Sequence, residues 1–140
     1  MSNLVIYTDG SYSSARNQGG LAFVVTENDK EIARFSKAYK NVTNNKMELA
    51  AVILALAYIK EPIDSLTIKT DSMYVIGCAT KGWKRKKNRD LWDRFDIAHI
   101  KAKALVKQPI EFVWVEGHAS DSFNNLCDSL AVSASKELID

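Results

Sequence analysis

Two stretches of the chain end alike. Ile6-Tyr7-Thr8-Asp9-Gly10 and Ile68-Lys69-Thr70-Asp71-Ser72 each run through apolar and β-branched residues to an aspartate, then to a residue suited to a turn or a helix start. Open α/β sheets bind ligands at the carboxyl ends of their strands, and parallel neighbours lie ~4.8 Å apart. If these two stretches pair in parallel, both carboxylates come within reach of one cation. Without a cation they repel in a partly desolvated crevice, and one of them holds its proton more tightly. Taken singly, each aspartate is an ordinary strand-end or turn residue. The repetition is harder to explain that way.

Two further carboxylates can join them. Glu48 stands three residues after Asn45 at the start of an apolar-periodic stretch, so Asn45-Lys46-Met47-Glu48 also reads as a capping box. Asp128 lies between Cys127 and Ser129 beside an apolar helical stripe, where a carboxylate needs a partner and the helix's own composition offers no obvious Arg or Lys. Oxygen donors without clustered cysteine or histidine favour Mg²⁺ or Mn²⁺ over zinc. Zinc spacings, a Walker loop, Gly-x-Gly-x-x-Gly and Gly-x-Ser-x-Gly are all absent. His118 sits in the small-residue loop Val115-Glu116-Gly117-His118-Ala119-Ser120. A loop histidine can shuttle protons; the alternative is a plain surface histidine.

The elements that must hold these residues follow from periodicity. Alternation and β-branched content predict strands at Leu4–Thr8, Leu21–Thr26 and Ile32–Tyr39, the last two joined by the polar turn Glu27-Asn28-Asp29-Lys30. Met47, Ala50, Ala51, Leu54, Ala55 and Tyr58 then recur at three and four residues, a helix from about Asn45 to Ile59 that Pro62 stops. A strand at Leu66–Thr70, a helix from Ser72 to about Ala79 and a helix from about Asp90 to Val106 come next. A strand at Ile110–Val115, the loop Gly117–Ser122 and a last helix, Phe123–Leu138, complete the chain. The order βββαβααβα predicts a mixed α/β sheet with helices packed on it.

At 140 residues the chain fits one domain, 1–140, with a core that needs no staples. A composition of 46% hydrophobic and 26% charged residues excludes disorder and low-complexity repeats. The longest apolar stretch, Leu49–Ile59, is well short of the ~18 residues of a membrane span, and Leu4–Tyr7 is too short for a signal core. Cys78 and Cys127 read as buried thiols of a reducing compartment, so a cytoplasmic location without membrane association is expected. The net charge of +2 is unevenly spread. Six of the 19 basic residues (Lys81, Lys84, Arg85, Lys86, Lys87 and Arg89) fall within residues 81–90 against one acid, Asp90, leaving the rest of the chain at −3. Such a strip suits a polyanion, and with Trp83 inside it an aromatic can meet a sugar or base while cations meet phosphates. A solvated surface loop is the alternative.

Several motifs in order carry a resemblance to a known family. Thr8-Asp9-Gly10-Ser11, Thr43-Asn44-Asn45-Lys46-Met47-Glu48-Leu49, Thr70-Asp71-Ser72 with Tyr74-Val75, Gly117-His118-Ala119, and Asn124 with Cys127-Asp128 together resemble type 1 ribonuclease H over nearly the whole chain. The resemblance implies a ribonuclease H-like fold with a five-stranded mixed sheet. It implies endonucleolytic cleavage of the RNA strand of RNA–DNA hybrids, leaving 3′-hydroxyl and 5′-phosphate ends. It further implies two Mg²⁺ ions, replaceable by Mn²⁺, on Asp9, Glu48, Asp71 and Asp128, with His118 assisting proton transfer or product release. Gly10, Ser11, Thr43, Asn44, Asn45 and Asn124 match positions that touch substrate, and the strip is expected to add contacts from Lys84, Arg85, Lys86 and Lys87 to phosphates and from Trp83 to a sugar or base. A monomer is expected. Three departures concern substrate affinity and not the chemistry: Ala15 where the family usually has Asn, Met73 where it often has Gln, and a basic protrusion cut down to Lys81–Arg89. A catalytically silent hybrid- or duplex-binding module is the competing reading, and a related nuclease acting on DNA or junctions a third. Retention of all four carboxylates argues against the silent module, since binding needs none of them.

Overall fold

A computed structural model describes residues 2–116 and 121–137. The elements run β1 (Asn3–Ser13), β2 (Gln18–Glu27), β3 (Lys30–Lys40), α1 (Asn44–Tyr58), β4 (Ser65–Thr70), α2 (Met73–Thr80), α3 (Arg89–Leu105), β5 (Glu111–Trp114) and α4 (Ser122–Ser135). That is the expected order. The five strands form one sheet, β3-β2-β1-β4-β5. β1 pairs antiparallel with β2, β2 antiparallel with β3, and β4 lies parallel to both β1 and β5.

The meander is set by its turns. Asn28 and Asp29 both take left-handed backbone (φ 53° and 61°), closing the two-residue loop between the paired residues Glu27 and Lys30. Asn and Asp tolerate that region, and such a turn matches the twist of the flanking strands.

The sheet is covered on both faces, and the side-chain period of two sorts its residues. Leu4, Ile6, Phe23, Val25, Leu66 and Ile68 join Leu49, Val52, Leu56, Trp92 and Phe95 in the larger core, under α1 and α3. Val5, Tyr7, Ala22 and Val24 pack instead with Phe123, Cys127, Leu130 and Ala131 of α4. Trp92 and Phe95 are each 1% exposed, and burial of such rings contributes about 2–3 kcal/mol apiece. Cys78 and Cys127 are free, buried thiols, as expected. No helix among the described residues is long and apolar enough to cross a membrane.

Two boundaries differ from expectation in ways that matter. β1 does not stop at Thr8; Gly10 to Ser13 continue the ladder with Leu21 to Gln18. Its parallel pairing with β4, however, ends at Tyr7↔Lys69. β1 therefore runs on along one neighbour after parting from the other, and that parting opens the sheet beside Asp9. The second difference is the start of α1. Its N-cap is Thr43, whose Oγ1 accepts from the Lys46 amide at 3.2 Å. Asn45 lies inside the helix, so the capping-box reading of Glu48 fails and its carboxylate is free for another task.

Candidate active site

Continuing the β1–β4 register by two residues sets Asp9 against Asp71. Glu48 reaches them from the second turn of α1. One carboxylate oxygen from each of the three lies within 4.8 Å of the others. Asp9 and Glu48 are buried at 3% and 5% exposure, and Asp71 is half-buried. Asp128, half-buried on α4, completes the group, being close enough to Asp9 to share a hydrogen bond and to act on Asp71 through its charge.

The electrostatics are those of convergent acids. Burial, then the charges of Asp71 and Asp128, push Asp9 up to about 8, although the Gly10 amide donates to its Oδ1 at 2.9 Å. Burial followed by the charges of Asp9 and Asp71 lifts Glu48 well above the usual carboxylate range. Asp71 is raised chiefly by burial, and its hydrogen bond with Asp9 partly offsets the rise. Glu48 Oε2 is buried without a hydrogen-bond partner. An orphan anionic oxygen in such a place is costly unless something positive meets it. Among the described residues no Lys or Arg pairs with Asp9, Glu48 or Asp71 in a salt bridge. An all-oxygen donor set with this orphan fits a hard divalent cation.

Asn44, Asn45, Glu48, Asp71, Ser72, Met73 and Tyr74 line an open, mostly polar cleft of about 300 Å³. Asn44 and Asn45 are exposed in the first turn of α1, while Thr43 spends its hydroxyl on the cap. Ser11 is half-buried and Gly10 fully buried. Met73 is 42% exposed at the cleft rim, the place the sequence left without an amide. Asn124 is buried, its Nδ2 donating to the Glu116 carbonyl at 3.5 Å. His118 lies outside the described residues.

The basic strip divides. Trp83, Lys84, Arg85, Lys86 and Arg89 line a second open depression, and Lys84, Lys86 and Lys87 are exposed. Trp83 is both anchor and surface: a Cβ at Gly77 would fall 1.9 Å from its ring, yet it is 48% exposed. Arg85 departs from expectation as a free cation. Its guanidinium sits 4.4 Å from the Trp92 ring centroid, holds Asp96 through both carboxylate oxygens at 2.9 and 2.8 Å, and donates to the Cys78 carbonyl. With Nη1 given to both oxygens of Asp96, Nε to Cys78 and its plane on a ring, this guanidinium is committed within the protein and not to a phosphate in water.

Sequence reasoning missed the supports of the cleft. The Tyr74 hydroxyl accepts from Trp92 Nε1 at 2.9 Å and from Asn88 Nδ2 at 3.1 Å, tying α2 to the end of the basic strip. Trp114 Nε1 donates to the Asp71 carbonyl at 3.1 Å. Aromatic residues at these positions are visible in the sequence, but their polar tips find partners only in three dimensions.

A mixed sheet in this order, with carboxylates gathered where its central parallel strands part, defines a ribonuclease H-like fold carrying an acidic cleft. The chain belongs to the ribonuclease H family, whose model, described as RNase H, matches residues 1–136. It is 35% identical over 147 residues to ribonuclease H of Trichodesmium erythraeum, covering 96% of this chain and 90% of that protein. It is 36% identical over 165 residues to ribonuclease H of Treponema denticola, covering 98% and 99%. Among solved structures, the N-terminal RNase H domain of a Mycobacterium tuberculosis protein, determined as a maltose-binding-protein fusion, superposes with a TM-score of 0.77. It has 23% identity, with 96% of this chain and 94% of that one covered, and so agrees in fold.

Proposed function

We propose that the chain hydrolyses the RNA strand of RNA–DNA hybrids endonucleolytically, with Asp9, Glu48, Asp71 and Asp128 holding two divalent ions, Mg²⁺ or Mn²⁺. The observation that carries the reading is the trio of carboxylates within 4.8 Å, with Glu48 Oε2 buried and unpartnered, in a member of this family. When bound, such ions supply Lewis-acid stabilisation of the attacking and leaving oxygens of an in-line displacement.

The chain's own residues supply placement. Asp9 rides on β1, Glu48 on α1, and Asp71 directly follows the last residue of β4, so regular elements carry or closely flank all three, which favours precise geometry. Asn44 and Asn45, exposed beside the cleft at the N-terminal end of α1, suit contacts with phosphate and sugar, where amide groups and the helix dipole favour an anion. A 2′-hydroxyl on one strand distinguishes a hybrid from DNA. In the reaction water adds to phosphorus, the bond to the 3′-oxygen breaks, and that oxygen gains a proton; His118 is proposed to assist this proton movement or the departure of product. Exposed Lys84, Lys86 and Lys87 add charge for the backbone, with Trp83 offering its open face.

The test is a substrate panel. Labelled RNA–DNA hybrid, double-stranded RNA and double-stranded DNA are each incubated with Mg²⁺ and with EDTA. Cleavage of hybrid RNA alone, with Mg²⁺ alone, is expected; cleavage of DNA, or of hybrid in EDTA, contradicts the reading.

A further inference from the structure

Asp71 occupies the point where β4 leaves the sheet and α2 begins, and both peptide units flanking it are held. The preceding unit is fixed through the Thr70 carbonyl, which accepts from the Val115 amide at 2.9 Å. The following unit, between Asp71 and Ser72, is fixed at both ends. Its carbonyl accepts from Trp114 Nε1 at 3.1 Å, and its N–H donates to Thr70 Oγ1 at 3.1 Å. A peptide unit is a rigid plane, so hydrogen bonds at its two ends fix its rotation. With both planes held, the Cα–Cβ direction of Asp71 is fixed as well.

The two side chains that clamp the second plane are unlike. Thr70 is fully buried, whereas Trp114 stands on edge strand β5 and is 46% exposed. Thr70 faces Trp114 at the last pair of the β4–β5 ladder, so the indole reaches past the end of that ladder to the next carbonyl. The ladder bonds would close this edge without it. Its N–H binds the Asp71 carbonyl to the edge strand.

We propose that Trp114 is a positioning residue for Asp71, aiming its carboxylate through the Asp71–Ser72 peptide unit. The proposal rests on the reading of Asp71 as a metal ligand. Groups that orient a ligand commonly change affinity or activity by about tenfold or more when lost.

Trp114→Phe keeps an aromatic ring and removes the donor. Three measurements follow: amide exchange at Ser72 in metal-free protein, Mg²⁺ binding by calorimetry without substrate, and kcat and KM on hybrid. Faster Ser72 exchange is expected, with Mg²⁺ affinity and kcat each lowered about tenfold and KM within about twofold. Thr70→Val should act in the same direction, and Thr70→Ser, which restores the hydroxyl, should return both exchange and affinity toward wild type. If Trp114→Phe fails to fold, the benzothienyl analogue of tryptophan at 114, lacking only the N–H, gives the same readouts. Unchanged Mg²⁺ affinity overturns the proposal, whether or not Ser72 exchange has changed. Failure of the wild type to cut hybrid overturns the functional reading instead, a separate result because exchange and calorimetry need no substrate.

Discussion

Gly10 and Glu48 are in backbone contact: a Cβ added at Gly10 would lie 2.4 Å from the Glu48 amide nitrogen and 2.6 Å from the Met47 carbonyl carbon. Strand β1 thus passes the second turn of α1 with no room for a side chain, and this closeness brings Asp9 and Glu48 together. Neither backbone has a flexible end that could yield.

Gly10→Ala is therefore expected to push α1 from β1. Overpacking of this kind costs about 1–3 kcal/mol, and the displacement separates two carboxylates of the site. A loss of activity larger than the loss of stability is the expected outcome. Urea denaturation beside hybrid cleavage checks it, and an alanine variant with full turnover would refute the contact's importance.

The cluster opposes folding when no cation is present. Asp9→Asn keeps the shape and the acceptor for the Gly10 amide but removes an acid that must either take up a proton or repel its neighbours on folding, so metal-free stability should stay level or rise by about 1 kcal/mol. Added Mg²⁺ should raise the wild type's denaturation midpoint more than the variant's. A clear fall in the variant's metal-free midpoint would contradict mutual repulsion among the acids.

The same charges fix a pH dependence. Asp9 is lifted to about 8 when folded and Glu48 is raised too, while unfolded they titrate near ~4. Between roughly pH 4 and 8 the folded chain binds more protons than the unfolded one, so this contribution to metal-free stability falls as pH rises. His99, lowered chiefly by burial, acts in the opposite sense: folded protein binds fewer protons there, and stability rises with pH up to ~6.5. Comparing wild type with Asp9→Asn isolates the cluster. Denaturation midpoints at pH 5 and pH 8 should show a steeper decline for the wild type, and equal slopes would count against a shared, proton-holding site.

Much of this site was legible in the chain because strands announce themselves by alternation and Asp9 and Asp71 repeat one local pattern. Element order followed, and with it the parallel neighbourhood of β1 and β4. What stayed hidden depends on contacts distant in sequence. The extension of β1 to Ser13 is driven by pairing with β2, which no propensity of Gly-Ser-Tyr-Ser predicts. The true cap of α1 is Thr43 and not Asn45, since several polar residues in a row can each cap and geometry selects one. Arg85 looked like its neighbours in a charge run, and only Asp96 and the Trp92 face, a helix away, set it apart.

That distinction yields a paired prediction. Arg85→Ala should cost about 1–2 kcal/mol of stability, combining a half-exposed ion pair with a desolvated stack on Trp92. Replacing Lys84, Lys86 and Lys87 together by Ser should barely change stability. It should raise KM and flatten the slope of log affinity against log salt by at most ~2.7, at about 0.9 per phosphate contact. Thermal melts and salt titrations of hybrid binding separate the two. An unchanged slope makes the lysines ordinary surface charges.

The role of Asp71 as a metal ligand is tested most directly by single-turnover cleavage of end-labelled RNA–DNA hybrid by Asp71→Asn at saturating Mg²⁺, with hybrid binding measured in parallel. Asp71 is the least buried of the three closest carboxylates, so its amide variant is the one best placed to keep the fold. The expected rate is at least about a hundredfold below wild type, the size of a lost transition-state charge contact, with hybrid affinity nearly unchanged. Cleavage close to the wild-type rate would contradict that role.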